Sequence, residues 1–131
     1  QKLFCRVLVV DDRRDVRFLT QHLLTEFGAE VELAEDGLDA LDVLAKSRES
    51  EQTFDIILLD MQMPRLDGYQ TTVRLREMGF TNPIIALTAD AMDTDRNRCL
   101  ESGCDGYLSK PIDARKLCEI VTRFLDGKKD A

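Results

Sequence analysis

Three short runs with no polar residue inside them limit what this chain can fold into: "VLVV" (7–10), "IILL" (56–59) and "IIAL" (84–87). A strand with one wet face alternates apolar and polar side chains, so a run that is apolar at every position belongs to a strand buried on both faces. Between the runs the period changes from strand-like to helical. Val16, Leu19, Leu23 and Phe27 recur at helical spacing, and Gly28 stops that segment. Buried strands that take turns with helices imply a parallel sheet covered by helices on both sides.

The other segments fill in the pattern. In "AEVELAED" Ala29, Val31 and Leu33 alternate with acids, which marks a second strand with one wet face. Leu38, Leu41, Leu44 and Ala45 outline a short amphipathic helix, and "SRESEQT" (47–53) reads as a polar loop. After 56–59 a helix is expected from about Asp67, carrying Tyr69, Val73 and Met78, and "MGFTNP" (78–83) breaks it. "IIALT" (84–88) is the fourth strand, and a helix from about Ala91 to Ser102 ends at Gly103. "DGYLS" (105–109) makes a weak fifth strand, and Leu117, Ile120, Val121 and Phe124 line a last helix. The continuous runs belong inside the sheet and the weaker strands at its edges. The order 2-1-3-4-5, a flavodoxin-like (βα)5 three-layer sandwich, meets both demands. The whole chain, 1–131, reads as one domain with its core at about 6–124 and a frayed tail over 126–131.

In a sheet of this order ligands bind beyond the carboxyl ends of the strands, where successive connections leave for opposite faces. Strand 1 ends in Asp11 and Asp12, strand 3 in Asp60, strand 4 in Thr88, and strand 5 in Ser109, Lys110 and Pro111. Three carboxylates, a hydroxyl and an amine thus converge on one rim. Each has an ordinary alternative: Asp11 and Asp12 as helix caps, Thr88 as a strand-end residue, Lys110 as a solvated loop lysine, Asp67 and Gly68 as a turn and helix start. Their joint arrival at the same rim favours a site. Crowded carboxylates repel, and an all-oxygen donor set without histidine or thiolate suits a hard cation, Mg2+ best of all. With Lys110 beside them, the acids form a pocket for a phosphoryl group, and Asp60 is the candidate nucleophile.

Composition excludes several functions. The net charge of −7 argues against direct nucleic-acid contact. No apolar run is long enough to cross a bilayer, so no membrane contact is expected, and without a signal-peptide pattern at the start the expected location is cytoplasmic. The cysteines Cys5, Cys99, Cys104 and Cys118 form no CxxC pair, and the single histidine is His22, so the thiols are expected free and buried or half-buried.

Four fragments in this order, "VLVVDD" (7–12), "DIILLDMQMPRLDG" (55–68), "PIIALTA" (83–89) and "GYLSKP" (106–111), give a chain that resembles the receiver domain of two-component response regulators, from about Arg6 to Phe124. The resemblance implies that Asp60 is the phosphoacceptor, served by a histidine kinase, a histidine phosphotransfer protein or a small acyl-phosphate. It implies Mg2+ held by Asp11, Asp12, Asp60 and the backbone carbonyl of Gln62, with Asp12 the direct ligand and Asp11 acting more through water. Thr88 and Lys110 would contact the phosphoryl group, Tyr107 would switch inward, Lys110–Pro111 would be cis, and Gln62 and Asp90 would tune the dephosphorylation rate. The surface of the fourth helix, fifth strand and fifth helix would then change partners or engage an output domain. "MQMPRLDGYQTTVRLR" and "ALTADAM" look like receivers attached to hybrid sensor histidine kinases. Such a domain phosphorylates and dephosphorylates itself rather than turning over a substrate.

Other classes compete. An Mg2+-dependent phosphohydrolase with an aspartyl nucleophile needs an acid two residues past Asp60, where Gln62 stands. A flavodoxin-like cofactor binder needs a hydroxyl- or glycine-rich phosphate loop, where "DDRRD" (11–15) is acidic. A degenerate receiver used only as a scaffold would lack some of the rim residues, all of which are present.

Overall fold

The computed structural model describes residues 5–89 and 93–130, with the side chains of 93–95 and 127–130 outside the description. Strands β1 (Arg6–Val10), β2 (Glu30–Ala34), β3 (Ile56–Asp60), β4 (Ile84–Thr88) and β5 (Gly106–Ser109) form one parallel sheet in the order β2-β1-β3-β4-β5, as the sequence pattern demands. Helices α1 (Arg14–Glu26), α2 (Gly37–Glu49), α3 (Gly68–Glu77), α4 (Asp93–Ser102) and α5 (Ala114–Asp130) alternate with them along the chain.

Alternation along the strands divides the core in two. Val7, Val9, Ile56, Leu58, Ile85 and Leu87 face one side, where Leu24 of α1 and Leu117 and Val121 of α5 cover them. Leu8, Val10, Ile57, Leu59, Ile84 and Ala86 face the other, against Ala40 and Leu44 of α2, Leu75 of α3 and Cys99 of α4. Parallel register places Leu8 beside Ile57 and Ile57 beside Ile84, so each face is a continuous apolar sheet. Every residue of β3 is buried, whereas β2 exposes Glu30 and Glu32 at the edge. β3 is clamped from both sides.

The helices turn differently from the simple leucine count. On α1, Phe18 and Leu19 are exposed, and Thr20 and Leu24 point inward. On α2, Leu38 and Ala45 face solvent, while Ala40, Leu44 and Ser47 are buried. On α3, Val73 is exposed, and Thr71 and Thr72 join Leu75 in the core. A buried threonine is tolerable when its hydroxyl bonds back to the carbonyl four residues earlier. That is what happens: Thr20, Thr71 and Thr72 donate to the carbonyls of Val16, Asp67 and Gly68 at 2.8, 2.7 and 2.8 Å. The helical backbone of α5 runs from Ala114 to Asp130.

Arg76 fastens the far end of α3. Its guanidinium donates to the carbonyls of Gly103, Phe80 and Asn82 and to the Asp105 carboxylate, at 2.7 to 3.0 Å. The cysteines are free as expected, with Cys5, Cys99 and Cys104 buried and Cys118 half-buried. Burial pushes the Cys5 and Cys104 thiols up to about 11, which keeps them protonated and unreactive. Among the described residues no helix is long and apolar enough to cross a membrane.

Candidate functional site

The sheet's carboxyl edge gathers most of the rim residues. Asp11, Asp12 and Asp60 each offer a carboxylate oxygen, and these lie within 4.8 Å of one another. Asp11 and Asp60 are buried and Asp12 is exposed. Lys110 bridges the two buried acids: its Nζ is 3.1 Å from Asp11 Oδ2 and 3.2 Å from Asp60 Oδ1. The Lys110–Pro111 peptide is cis, as the resemblance implies. The backbone N–H of Lys110 donates to the Thr88 carbonyl at 2.7 Å, tying the lysine's loop to the end of β4.

Helix capping does not account for the paired acids. The N-cap of α1 is Arg13, with no side-chain cap, and Asp11 Oδ1 instead accepts the Arg13 backbone N–H at 2.9 Å. Arg17 reaches back from the next turn to donate to the Asp11 carbonyl at 2.8 Å. Asp67, by contrast, is a true N-cap, in a reciprocal box with Gln70, as the turn-and-helix reading of that pair expects.

The tight turn out of β3 holds Asp60 in position. The chain turns through Pro64, and α3 starts so close to the strand end that the Gly68 N–H donates to the Met61 carbonyl at 3.1 Å. A Cβ on Gly68 would lie 2.5 Å from the Asp60 carbonyl oxygen and 2.6 Å from Met61 Cα, so only glycine fits. Arg65 pairs with the buried Asp36 and pins this turn to the start of α2. Asp36, accepting the Asp39 backbone N–H and paired with Arg65, is held below the ordinary carboxylate range.

The Asp60 carboxyl is pushed up from 3.8 to about 6. Loss of solvent is the main cause, and the Asp11 charge adds to it. The Gln62 N–H, 3.1 Å from Oδ1, and Lys110 oppose the rise without cancelling it. Thr88 is buried at the end of β4, and its hydroxyl has no hydrogen-bond partner among the described residues. A buried orphan hydroxyl costs free energy unless something else completes it. The acids, the lysine and this hydroxyl form a pocket of oxygen donors and one fixed cation. That chemistry fits a hard divalent ion and an oxyanion.

A cavity of about 500 Å³ opens onto this edge, bounded by Asp12, Gln62 and Thr88 and farther out by Met63, Tyr69 and Arg98. Tyr69 and Arg98 are residues the sequence did not single out for the site. They come from α3 and α4, and the Arg98 guanidinium sits 3.9 Å from the Tyr69 ring centroid. No spacing rule links them, because the pairing depends on how two separate helices pack. Tyr107 lies away from the carboxylates, half-buried on β5, with the Arg96 guanidinium 5.5 Å from its ring centroid. It lines a groove of about 790 Å³ between α4, β5 and α5, together with Leu100, Lys116, Ile120 and Arg123. Asp90 lies outside the described residues.

A doubly wound parallel sheet with a lysine-bridged acid cluster at its switch point defines a flavodoxin-like domain with a polar site at its carboxyl edge. Residues 7–122 match the family model described as "Response regulator receiver domain", and the chain belongs to that family, the receivers of two-component phosphorelays. It is 41% identical over 120 residues to the sensor histidine kinase RcsC of Escherichia coli, covering 92% of this chain and 12% of that protein. It is 40% identical over 130 residues to the osmosensing histidine protein kinase SLN1 of Saccharomyces cerevisiae, covering 95% of this chain and 11% of the kinase. The chain thus spans about an eighth or less of these relatives. Among solved structures, the chemotaxis protein CheY4 of Vibrio cholerae superposes with a TM-score of 0.83 at 31% identity, over 93% of this chain and 99% of that one.

Proposed function

We propose that the chain accepts a phosphoryl group on Asp60 from the phosphohistidine of a histidine kinase or histidine phosphotransfer protein. The observation that carries this reading is Lys110 held 3.1 and 3.2 Å from two buried carboxylates, with the orphan hydroxyl of Thr88 on the neighbouring strand. An oxygen of Asp60 attacks phosphorus, the P–N bond to imidazole breaks, and its electron pair leaves on the imidazole nitrogen. Lys110 offsets charge on the transferred oxygens, and Thr88 donates its unused hydrogen bond to one of them. Asp11, Asp12, Asp60 and the Gln62 carbonyl would hold Mg2+, which when bound neutralises charge between the acids and the phosphoryl group.

The signal then leaves through α4, β5 and α5. Thr88 moves toward the phosphoryl group, Tyr107 turns from half-buried to buried, and the surface around the groove exchanges an output domain or partner. Gln62 and Asp90 would set how fast water removes the phosphate. The single domain would act in the cytoplasm, without membrane or nucleic-acid contact of its own, as part of a hybrid sensor histidine kinase or as a separate regulator. The kinase relatives, of which it matches about a tenth, favour the former. Nothing in the geometry favours the phosphohydrolase, since Gln62 cannot serve as the second acid.

The test is incubation with acetyl phosphate and Mg2+, beside Asp60→Asn, read by intact mass. The proposal expects the wild-type chain to gain one phosphate and the variant none. A gain that survives in the variant would move the acceptor elsewhere.

A further inference from the structure

The cavity beside the carboxylates is lined by one basic residue, Arg98, together with the acids Asp12 and Asp67, and the reaction above does not use that cation. Asp12, Gln62 and Thr88 bound it beside the acceptor, and Tyr69 and Arg98 bound it farther out. Arg98 is exposed, yet its guanidinium is stacked over the Tyr69 ring at 3.9 Å. Stacking on an aromatic face holds a guanidinium in place while leaving its N–H edge free to meet an anion. The inner, half-buried cation, Lys110, is committed to Asp11 and Asp60. Any donor that reaches Asp60 through this cavity therefore passes a second, outer cation.

We infer that Arg98, positioned by Tyr69, determines specificity among phosphoryl donors by favouring those whose leaving group departs as an anion. The inference rests on the reading of Asp60 as acceptor. With an acyl-phosphate, the Asp60 O–P bond forms, the acyl O–P bond breaks, and the electron pair leaves on a carboxylate. That oxygen gains negative charge as the bond breaks, and a guanidinium at the cavity wall stabilises it. With a phosphoramidate donor, the P–N bond breaks and the nitrogen leaves as a neutral amine after taking up a proton. Arg98 then has no developing charge to meet. Both donors carry a similar phosphoryl group, so its attraction to Lys110 cancels in the comparison.

The measurement is the ratio of rate constants for acetyl phosphate and phosphoramidate with Mg2+, read by intact mass. It is made on the wild type, Arg98→Ala, Arg98→Lys, Tyr69→Leu and the Asp60→Asn control. Loss of one exposed charge contact should lower the acetyl phosphate to phosphoramidate ratio about fivefold in Arg98→Ala. Arg98→Lys should keep most of the ratio, and Tyr69→Leu should fall between. An unchanged ratio in Arg98→Ala would overturn the inference, as would a loss in Arg98→Lys as large as in the alanine variant. A phosphate gained by Asp60→Asn would instead overturn the acceptor assignment, so the two failures are told apart.

Discussion

Replacing Asp60 by asparagine should make the metal-free protein more stable, although it removes a lysine's ion-pair partner. Burial and the neighbouring Asp11 raise the Asp60 carboxyl from 3.8 to about 6, so ionising it in the folded chain costs more than in the unfolded one. Folding takes up a proton between these values. Asp60's contribution to stability is therefore full below pH 3.8 and is lost as pH rises through 6. A rise of this size corresponds to about 3 kcal/mol at pH 7.5, about half of that at pH 5 and only a small fraction of it at pH 4. Asparagine has almost the same shape, keeps a carbonyl oxygen for the Gln62 N–H and carries no charge.

Urea denaturation of both proteins in EDTA at these three pH values measures the difference directly, because the midpoints move while the slopes stay equal. The variant should be ahead by about 3 kcal/mol at pH 7.5, and the gap should close steadily toward pH 4. Millimolar Mg2+ should narrow the gap at pH 7.5 by stabilising only the chain that keeps the acceptor carboxylate. A variant less stable than wild type at pH 7.5 would refute the reasoning, since the lysine contacts would then outweigh desolvation. A gap independent of pH would refute it too, because the titrating group would not be Asp60.

Other substitutions probe the supports of the site. Gly68→Ala places a methyl group against the Asp60 carbonyl and the Met61 backbone; it should cost about 2 kcal/mol or more in urea denaturation and lower the acetyl phosphate rate with it. Arg76→Ala strands the Gly103, Phe80 and Asn82 carbonyls and leaves the Asp105 carboxylate with the Ile84 N–H but without its ion pair; a loss of about 2–3 kcal/mol, with phosphorylation of the remaining folded protein unchanged, is the expected outcome. Tyr107→Ala should still gain phosphate on Asp60 by mass, while beryllofluoride should no longer shift backbone NMR signals of α5. A normal α5 response would remove Tyr107 from the signal route.

The strand order was legible because burial on two faces and burial on one leave different patterns. β3 and β4 are apolar without a break and lie inside, whereas β2 and β5 alternate or are short and lie at the edges. The site came with the strands, since a parallel sheet fixes where each strand's last residue lies. Asp11, Asp12, Asp60 and Lys110 could be placed together without any knowledge of the helices. The helix faces were less legible. Counting leucines on α1 and α3 placed Leu19 and Val73 inside, yet Thr20, Thr71 and Thr72 take the inner positions with hydroxyls satisfied by their own helix. Arg76 and the Arg98–Tyr69 pair were out of reach for another reason. Long side chains choose partners after the helices have docked, and no periodicity in the chain records that choice.

The same distinction says where a phosphorylation signal can travel. β3 is buried at every position and packed on both faces, so Asp60 stands on backbone that cannot yield without opening the core. Met61, next in the chain, is also buried, and Gly68 locks the start of α3 against it. On the β1 side, Asp11 is fully buried, with the Arg13 N–H on one oxygen and Lys110 on the other. The β4 side is different: Thr88 has an unused hydroxyl, and beyond it Tyr107 is only half-buried beside an open groove. A phosphoryl group on Asp60, as proposed, would therefore gain most by drawing on β4 and its neighbours, where an unmet hydrogen bond is available and a side chain has room to move. On the proposed function, rigidity at Asp60 and slack two strands away would together give a phosphoryl group two arrangements to choose between, which is the physical requirement for a switch.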